Sequence, residues 1–231
     1  MNSNSRITAI ITAGGTSSRF GNTNKLMEKI HSKEVIKHTL DAFLSVVEEG
    51  AINKIIICAN KSIIDELKNI FDGSEIDGID EIEIIEGGNT RQQSVFNGLK
   101  ASGNCDYVLI HDGARPMISA ETIKQAIEMV KEKKALTVAT KTIDTIKQVD
   151  ENLKIINTID RSNLFNTQTP QAFKYDLIKE AHEKLQGQNF TDDAGMLEFL
   201  GKDVYILEGD YRNIKITNQS DIELAKIYLA I

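Results

Sequence analysis

The chain has 231 residues, of which 41% are hydrophobic and 26% charged, and its 27 basic and 34 acidic residues leave a net charge of −7. This composition is typical of a globular protein and excludes the disordered, collagen-like and disulfide-scaffold classes. An acidic chain without a basic run also argues against a nucleic-acid binder. Its apolar runs are far shorter than the ~20 residues that span a bilayer, so no membrane is expected.

Residues 1–6 are polar and no apolar signal-peptide core follows them. Cys58 and Cys105 each lie in an apolar, strand-like run, which favours buried thiols over a disulfide. We therefore expect a cytoplasmic protein. The chain contains two prolines and no Ser/Gly-rich linker, so a single domain over residues 1–231 is predicted.

The predicted elements alternate between strands and helices along the chain. Unalternating apolar runs at 7–12, 55–59, 107–110 and 135–139 predict strands that are buried on both faces. Apolar stripes predict helices at 36–47 and at 123–130, the second capped by Ser119, and a last helix that starts near Asn218 with a capping box to Asp221. This alternation predicts an α/β fold with a doubly wound, mostly parallel sheet.

Residues 142–160 interrupt this alternation, because apolar and charged residues mix around a polar turn. The pattern predicts a two-stranded ribbon. An isolated ribbon is marginal in water, so we expect it to pack on something else, such as a second subunit.

The first predicted strand leads into AGGTSSRFG, residues 13–21. Ligands bind beyond the carboxyl ends of strands in open α/β sheets, and small residues let backbone N–H groups approach phosphates there. Arg19 and Lys25 add two cations, so we predict a triphosphate cradle. The spacing matches neither GxGxxG nor the Walker P-loop, and glycines in an ordinary tight turn are the alternative interpretation.

GGNTRQQSV, residues 87–95, is predicted to be a strand-to-helix turn whose backbone reads a base edge, with Arg91 and Ser94 facing the ligand. Helix capping alone explains Asn89 and Thr90 equally well.

HDGARP, residues 111–116, follows the third predicted strand and puts Asp112 at its carboxyl end. A carboxylate there, near phosphates, is a suitable Mg²⁺ ligand, and an aspartate that only shapes the turn is the alternative. His111 is expected to be a hydrogen-bonded structural residue, because attack by an ionised phosphate needs no general base.

Two further motifs leave their alternatives open. Thr191 in TDDAG is either a helix N-cap or a phosphate contact, since a helix N-terminus favours anions in both cases. NIKIT, residues 213–217, is predicted to be a strand in which Lys215 points away from the apolar face, either toward the ligand or into solvent.

Together these motifs resemble the 2-C-methyl-D-erythritol 4-phosphate cytidylyltransferase family of the non-mevalonate isoprenoid pathway. The resemblance is carried, in chain order, by AGGTSSRFG, GGNTRQQSVFNGL, HDGARP, TIDTIKQVD, TIDRSNLFNTQTPQAF, FTDDAG and EGDYRNIKIT. HDGARP and DRSNLFNTQTPQAF are the most specific of these. The resemblance implies a Rossmann-like fold with a β-arm at about 142–160 that interlocks two subunits in a homodimer. It also implies transfer of CMP from CTP to the sugar-alcohol phosphate, with Mg²⁺ and release of pyrophosphate.

The resemblance also assigns roles to individual residues. CTP would be bound by Ala13, Gly14, Gly15, Arg19, Lys25, Gly88, Asn89, Arg91 and Ser94, and the metal by Asp112. The acceptor phosphate would be bound by Arg115, Thr145, Arg161, Thr169, Thr191 and Lys215, with Arg161 and Thr169 reaching over from the partner subunit. Arg19, Lys25 and Lys215 would be the catalytic cations.

The chain departs from the family pattern at three places. Ser17 stands where a third loop glycine is usual, Asn24-Lys25-Leu26 replaces the common PKQ triplet, and Gly113 replaces the usual alanine. The lysine and Asp112 are retained, so activity is expected.

Three other functions are alternatives to this one. Ribitol-5-phosphate cytidylyltransferases share the glycine loop and the HD…RP motif, but TIDRSNLFNTQTPQAF favours the methylerythritol family. A dinucleotide-binding oxidoreductase requires the GxGxxG spacing that this loop lacks. A non-catalytic nucleotide-binding module would be expected to lose Asp112 or the lysines.

Overall fold

The computed structural model describes residues 5–15, 20, 24–71 and 81–230. The strands are β1 (Ile7–Ala13), β2 (Lys29–Ile30), β3 (Lys33–Glu34), β4 (Lys54–Ala59), β5 (Glu81–Glu86), β6 (Tyr107–Asp112), β7 (Ala135–Lys141), β8 (Ile146–Val149), β9 (Ile155–Ile159), β10 (Phe165–Lys174) and β11 (Tyr205–Glu208). The helices are α1 (Val35–Glu48), α2 (Ile64–Phe71), α3 (Arg91–Ala101), α4 (Ala120–Lys133), α5 (Tyr175–Lys184), α6 (Asp193–Phe199) and α7 (Gln219–Tyr228), and a 3₁₀ turn covers Lys61–Ile63.

The main sheet of the described chain has seven strands in the order β11-β7-β10-β6-β1-β4-β5. β1 pairs in parallel with β4 and with β6, β4 with β5, and β11 with β7. β10 is antiparallel to both of its neighbours, β6 and β7. The predicted α/β fold with a mostly parallel, doubly wound sheet is confirmed.

Helices cover both faces of this sheet, as the unalternating strands predict. In β1, Ile7 and Ile11 pack in the core formed with α1, α4 and α7, whereas Ile10 packs in the core formed with α3, α5 and α6. Because successive side chains of a strand point to opposite faces, burial on both sides favours a near-continuous apolar run over alternation.

The helix starts follow the predicted capping chemistry. Ser119 accepts a hydrogen bond from the Thr122 N–H at the start of α4, and Asn218 forms a capping box with Asp221 at the start of α7. At the start of α3 the cap is Thr90 rather than Asn89. None of the helices in the described part of the chain combines the length and the hydropathy that a membrane span requires.

Cys58 and Cys105 are free thiols, as expected, although Cys105 is only partly buried. Burial raises the pKa of Cys58 to about 12 and that of Cys105 to about 11. Both groups are therefore protonated and unreactive at neutral pH.

The predicted ribbon is the antiparallel pair β8–β9, which we call the arm (residues 142–160). Its apolar side chains are exposed, with 80% of Leu153, 62% of Ile156 and 57% of Ile155 accessible. Exposed apolar side chains in this number are typical of an interaction surface.

Residues 213–217 correct a prediction, because they form a loop and not a strand. The Ile216 N–H donates to the Ala114 carbonyl at 2.8 Å, which attaches this segment to the turn after β6. Alternation within five residues was not sufficient to predict a strand, since a strand also needs a neighbour in register.

Candidate active site

The site lies where the carboxyl ends of β1 and β6 meet. Thr12 and Asp112 are paired in register on these adjacent strands, and the Thr12 hydroxyl donates to Asp112 Oδ1 at 3.3 Å. Gly14 and Gly15 continue from β1 beside this pair. The geometry brings the predicted phosphate loop and the predicted metal carboxylate together.

Asp112 is 6% exposed and lies among cationic side chains. Lys215 Nζ is 2.7 Å from Oδ2, Arg91 Nε is 3.1 Å from Oδ1, and Arg115 Nε is 3.8 Å from Oδ2. Burial alone would raise the pKa of Asp112, but the charges of Arg91 and Lys215 outweigh it and hold the pKa well below its ordinary value. Asp112 is therefore ionised at any physiological pH.

The loop at 213–217 places two lysines beside this carboxylate. Lys215 bonds Asp112, and the carbonyl of the next residue, Ile216, accepts a hydrogen bond from Lys25 Nζ at 2.8 Å. The two predicted catalytic lysines thus lie in one cavity although 190 positions separate them in the chain. Arg19 and Ser17 lie outside the described residues.

Arg91 joins Asp112 to a second buried carboxylate that sequence reasoning missed. Its Nη1 is 2.7 Å from Asp193 Oδ2, and Asp193 Oδ1 is 3.0 Å from His182 Nε2. Burial would lower the pKa of Arg91, but Asp193 and Asp112 raise it above its ordinary value. The second aspartate of TDDAG was the available signal in the sequence, yet nothing local indicated that it contacts an arginine 102 positions away.

Ser94 bonds the turn at residues 88–90 and lies beside Gly14 of the first glycine turn. Its hydroxyl accepts from the Gly88 N–H at 2.9 Å and donates to the Thr90 carbonyl at 3.0 Å. A Cβ at Gly87 would lie 2.9 Å from this hydroxyl, and one at Gly14 would lie 3.0 Å from it. Only glycine fits at these two positions without a shift, and the buried Ser94 hydroxyl holds the backbone of residues 88–90.

Two cavities meet at Asp112. The first has a volume of about 290 Å³ and is lined by Thr12, Ala13, Gly14, Gly15, Lys25, Leu26, Gly88, Asn89, Thr90, Arg91, Ser94, Asp112, Ala114 and Lys215. The second has a volume of about 240 Å³ and is lined by Arg91, Asp112, Arg115, Thr167, Gln168, Thr169, Gln171, Thr191, Asp192 and Lys215. Arg91, Asp112 and Lys215 line both.

This partition agrees with the two groups of residues that the resemblance implies. Every residue assigned to CTP lines the first cavity, except Arg19, which is not described. Arg115, Thr169 and Thr191 line the second. Thr191 is exposed, and the cap of α6 is Asp192, which accepts from the Gly195 N–H at 3.0 Å.

Thr145, in the arm, and Arg161, just beyond it, lie elsewhere. Thr145 and Arg161 are exposed and line neither cavity of their own subunit, and the Arg161 guanidinium donates to the Ile143 carbonyl within the arm.

Thr169 requires a correction. It is 4% exposed, and its hydroxyl bonds the Asp112 N–H at 3.1 Å and His111 Nδ1 at 3.0 Å in its own subunit. A buried hydroxyl with these partners does not reach over to a second subunit.

Comparisons with known proteins agree with this geometry. The family model IspD, 2-C-methyl-D-erythritol 4-phosphate cytidylyltransferase, matches residues 7–231. A curated protein of that name from Alkaliphilus oremlandii is 40% identical over 227 residues, covering 96% of this chain and 94% of the relative. One from Bacillus licheniformis is 40% identical over 223 residues, covering 95% and 94%. The crystal structure of the 4-diphosphocytidyl-2C-methyl-D-erythritol synthase of Anaerococcus prevotii superposes with a TM-score of 0.86 at 36% identity, covering 99% of this chain and 100% of that one. The chain therefore belongs to the 2-C-methyl-D-erythritol 4-phosphate cytidylyltransferase family.

Proposed function

We propose that this protein transfers CMP from CTP to 2-C-methyl-D-erythritol 4-phosphate, giving 4-diphosphocytidyl-2-C-methyl-D-erythritol and pyrophosphate. The observation that carries the proposal is the pair of cavities that share Arg91, Asp112 and Lys215. A nucleotide in the first cavity and a phosphorylated acceptor in the second would bring their phosphates together at these three side chains.

In this reaction an acceptor phosphate oxygen attacks the α-phosphorus of CTP. A P–O bond forms to the acceptor as the bond to the β-phosphate breaks, and pyrophosphate leaves with the electron pair. Both reactants are anions, so positioning and charge stabilisation are the main contributions a protein can make. Lys25 and Lys215 line the first cavity and would supply that charge. Loss of one is expected to lower the rate roughly 10²–10³-fold, by analogy with oxyanion donors.

The site offers a carboxylate, that of Asp112, as a ligand for a divalent cation. The described residues hold no cluster of three or more His, Cys, Asp or Glu side chains that would bind a metal unaided. Mg²⁺ is often bound by one or two carboxylates together with substrate phosphates, which is the donor set that Asp112 and a triphosphate provide. When bound, the ion would neutralise charge on the triphosphate. Asp112 would hold it, and Arg91 and Lys215 would keep that carboxylate ionised and oriented.

The base is proposed to be cytosine, recognised at the turn of Gly88 and Asn89. The N–H groups of Gly88 and Asn89 are used within the turn, by Ser94 and by the Gln93 side chain. Recognition of the base edge would therefore use backbone carbonyl oxygens of this turn and the Asn89 side chain. Carbonyls accept from the exocyclic amino group of cytosine, which uracil lacks.

The active form is proposed to be a cytoplasmic homodimer joined through the arms. The exposed apolar side chains of the arm need cover, and a twofold partner presenting its own arm covers both at once. Thr145 and Arg161 would then approach the acceptor cavity of the other subunit.

Pyrophosphate release with CTP and Mg²⁺ tests the function directly. Methylerythritol phosphate and ribitol 5-phosphate are offered in parallel, and UTP and ATP replace CTP in matched reactions. We expect release with CTP and methylerythritol phosphate. Faster release with ribitol phosphate, or equal release with UTP, would contradict the proposal.

A further inference from the structure

A directional chain of hydrogen bonds runs beneath the second cavity. The Asp112 N–H lies 3.1 Å from Thr169 Oγ1, Thr169 Oγ1 lies 3.0 Å from His111 Nδ1, and His111 Nε2 lies 3.3 Å from the Arg115 carbonyl. His111 is fully buried, and its ring packs against Phe43 at 5.1 Å between centroids. The chain joins the two ends of the turn that carries Asp112 and Arg115.

When the His111 imidazole is neutral, only one arrangement of protons satisfies this series of hydrogen bonds. A carbonyl oxygen cannot donate, so His111 Nε2 must carry a hydrogen toward Arg115. In a neutral imidazole Nδ1 is then an acceptor, and the Thr169 hydroxyl must donate to it. The Thr169 oxygen in turn accepts from the Asp112 N–H. The Thr169 proton is committed and is not available to a ligand.

Hydrogen bonds hold Arg115 both at its backbone and at its guanidinium group. Its backbone carbonyl is held by His111, while its guanidinium donates to the Asn213 carbonyl at 2.7 Å and to the Thr167 carbonyl at 3.5 Å. Its Nε is buried without a hydrogen bond and lies 3.8 Å from Asp112 Oδ2. A shift of the turn would therefore move Arg115 and Asp112 relative to each other.

We propose that His111 and Thr169 are positioning residues that fix Arg115 and Asp112 for the acceptor, and that Thr169 donates no hydrogen bond to the acceptor. This inference rests on the proposed function for its kinetic readout, but its hydrogen-bond arrangement is measurable without activity.

The first test is the tautomer of His111, read from ¹⁵N chemical shifts of histidine-labelled protein at pH 7.5. The His111 signal is assigned by its loss in His111→Asn. The chain requires a protonated Nε2 and an unprotonated Nδ1. A protonated Nδ1 would overturn the proposal, whatever the activity of the enzyme.

The second test separates the two ends of the imidazole. In His111→Asn the side-chain oxygen can replace Nδ1 and accept from Thr169, whereas in His111→Gln the side-chain amide can replace Nε2 and donate to Arg115. Each variant breaks one link, so both should raise the KM for the acceptor while the KM for CTP stays within about 2-fold. Thr169→Ser retains the hydroxyl and should rescue the acceptor KM that Thr169→Val loses.

Magnitude and coupling complete the test. Thr169→Val leaves the buried Asp112 N–H without its acceptor, so it should raise the acceptor KM about 5- to 150-fold. Both side chains belong to the same series of hydrogen bonds. The double variant Thr169→Val/His111→Phe should therefore raise the acceptor KM no more than the more severe single variant does. Multiplicative effects would overturn the proposal, as would an acceptor KM that His111→Phe leaves unchanged. Thr8→Val is the matched control for the loss of a buried hydroxyl. Thr8 is buried in β1, at the end of the strand away from the site.

Discussion

Acidification from pH 7 to pH 5 is expected to lower the free energy of unfolding by about 2 kcal/mol through the titration of His111 alone. Burial lowers the pKa of His111 from 6.5 to about 3. The Asp112 carboxylate opposes this shift, and the positive charge of Arg115 adds to it. Between pH 6.5 and about pH 3, His111 binds a proton in the unfolded chain but not in the folded one. The stabilisation is therefore complete above pH 6.5 and is lost as the pH falls toward 3, at a slope approaching ~1.4 kcal/mol per pH unit.

Urea unfolding at pH 7 and pH 5 measures this loss. The wild type should lose about 2 kcal/mol more than His111→Asn, because the variant removes the titrating ring from both states. His31→Asn is the control, since that ring is exposed and its positive φ of 56° suits asparagine. The reasoning is refuted if the wild type and His111→Asn show the same pH dependence.

Three further predictions concern the site, its turn and the arm. Asp112→Asn should lower kcat roughly 10²–10³-fold and weaken the dependence on Mg²⁺, and full rate at limiting Mg²⁺ would place the metal elsewhere. Gly113→Ala should destabilise the fold in urea, because its Cβ would lie 2.6 Å from Ile36 Cδ1, and Ile36→Val should recover part of the loss. Mixing inactive Arg161→Ala with inactive Lys215→Ala should restore about a quarter of wild-type activity, because half the dimers are mixed and each has one intact site. No recovery after verified subunit exchange would show that Arg161 acts within its own subunit.

Local pattern was enough to predict most of the sheet. The runs at 7–12, 55–59, 107–110 and 135–139 became β1, β4, β6 and β7 with their ends extended by at most two residues. β10 was not predicted, because Pro170 lies within it and cannot donate to a ladder. The pairing with β7 tolerates Pro170, since the register shifts between Thr167 and Gln171.

In the site, the sequence predicted the residues that lie within recognisable motifs. It did not predict the residues whose part in the site depends on contacts with distant positions in the chain. Asp112 and the glycine loop were placed together because parallel strands end at one edge of the sheet. The Arg91–Asp193–His182 network joins α3, α5 and α6, and no local periodicity records that contact. The misplacement of Thr169 across a subunit boundary has the same cause, since its partner His111 is 58 positions away.

Steady-state kinetics with both substrates varied test the two-cavity account most directly. Asn89→Ala should raise the KM for CTP about 10-fold and leave the acceptor KM unchanged, whereas Arg115→Met should do the reverse, each change corresponding to ~1.4 kcal/mol of binding. Lys215→Met should chiefly lower kcat, because Lys215 lines both cavities. If Asn89→Ala and Arg115→Met instead raise the same KM, the two substrates do not occupy separate cavities and the account is wrong.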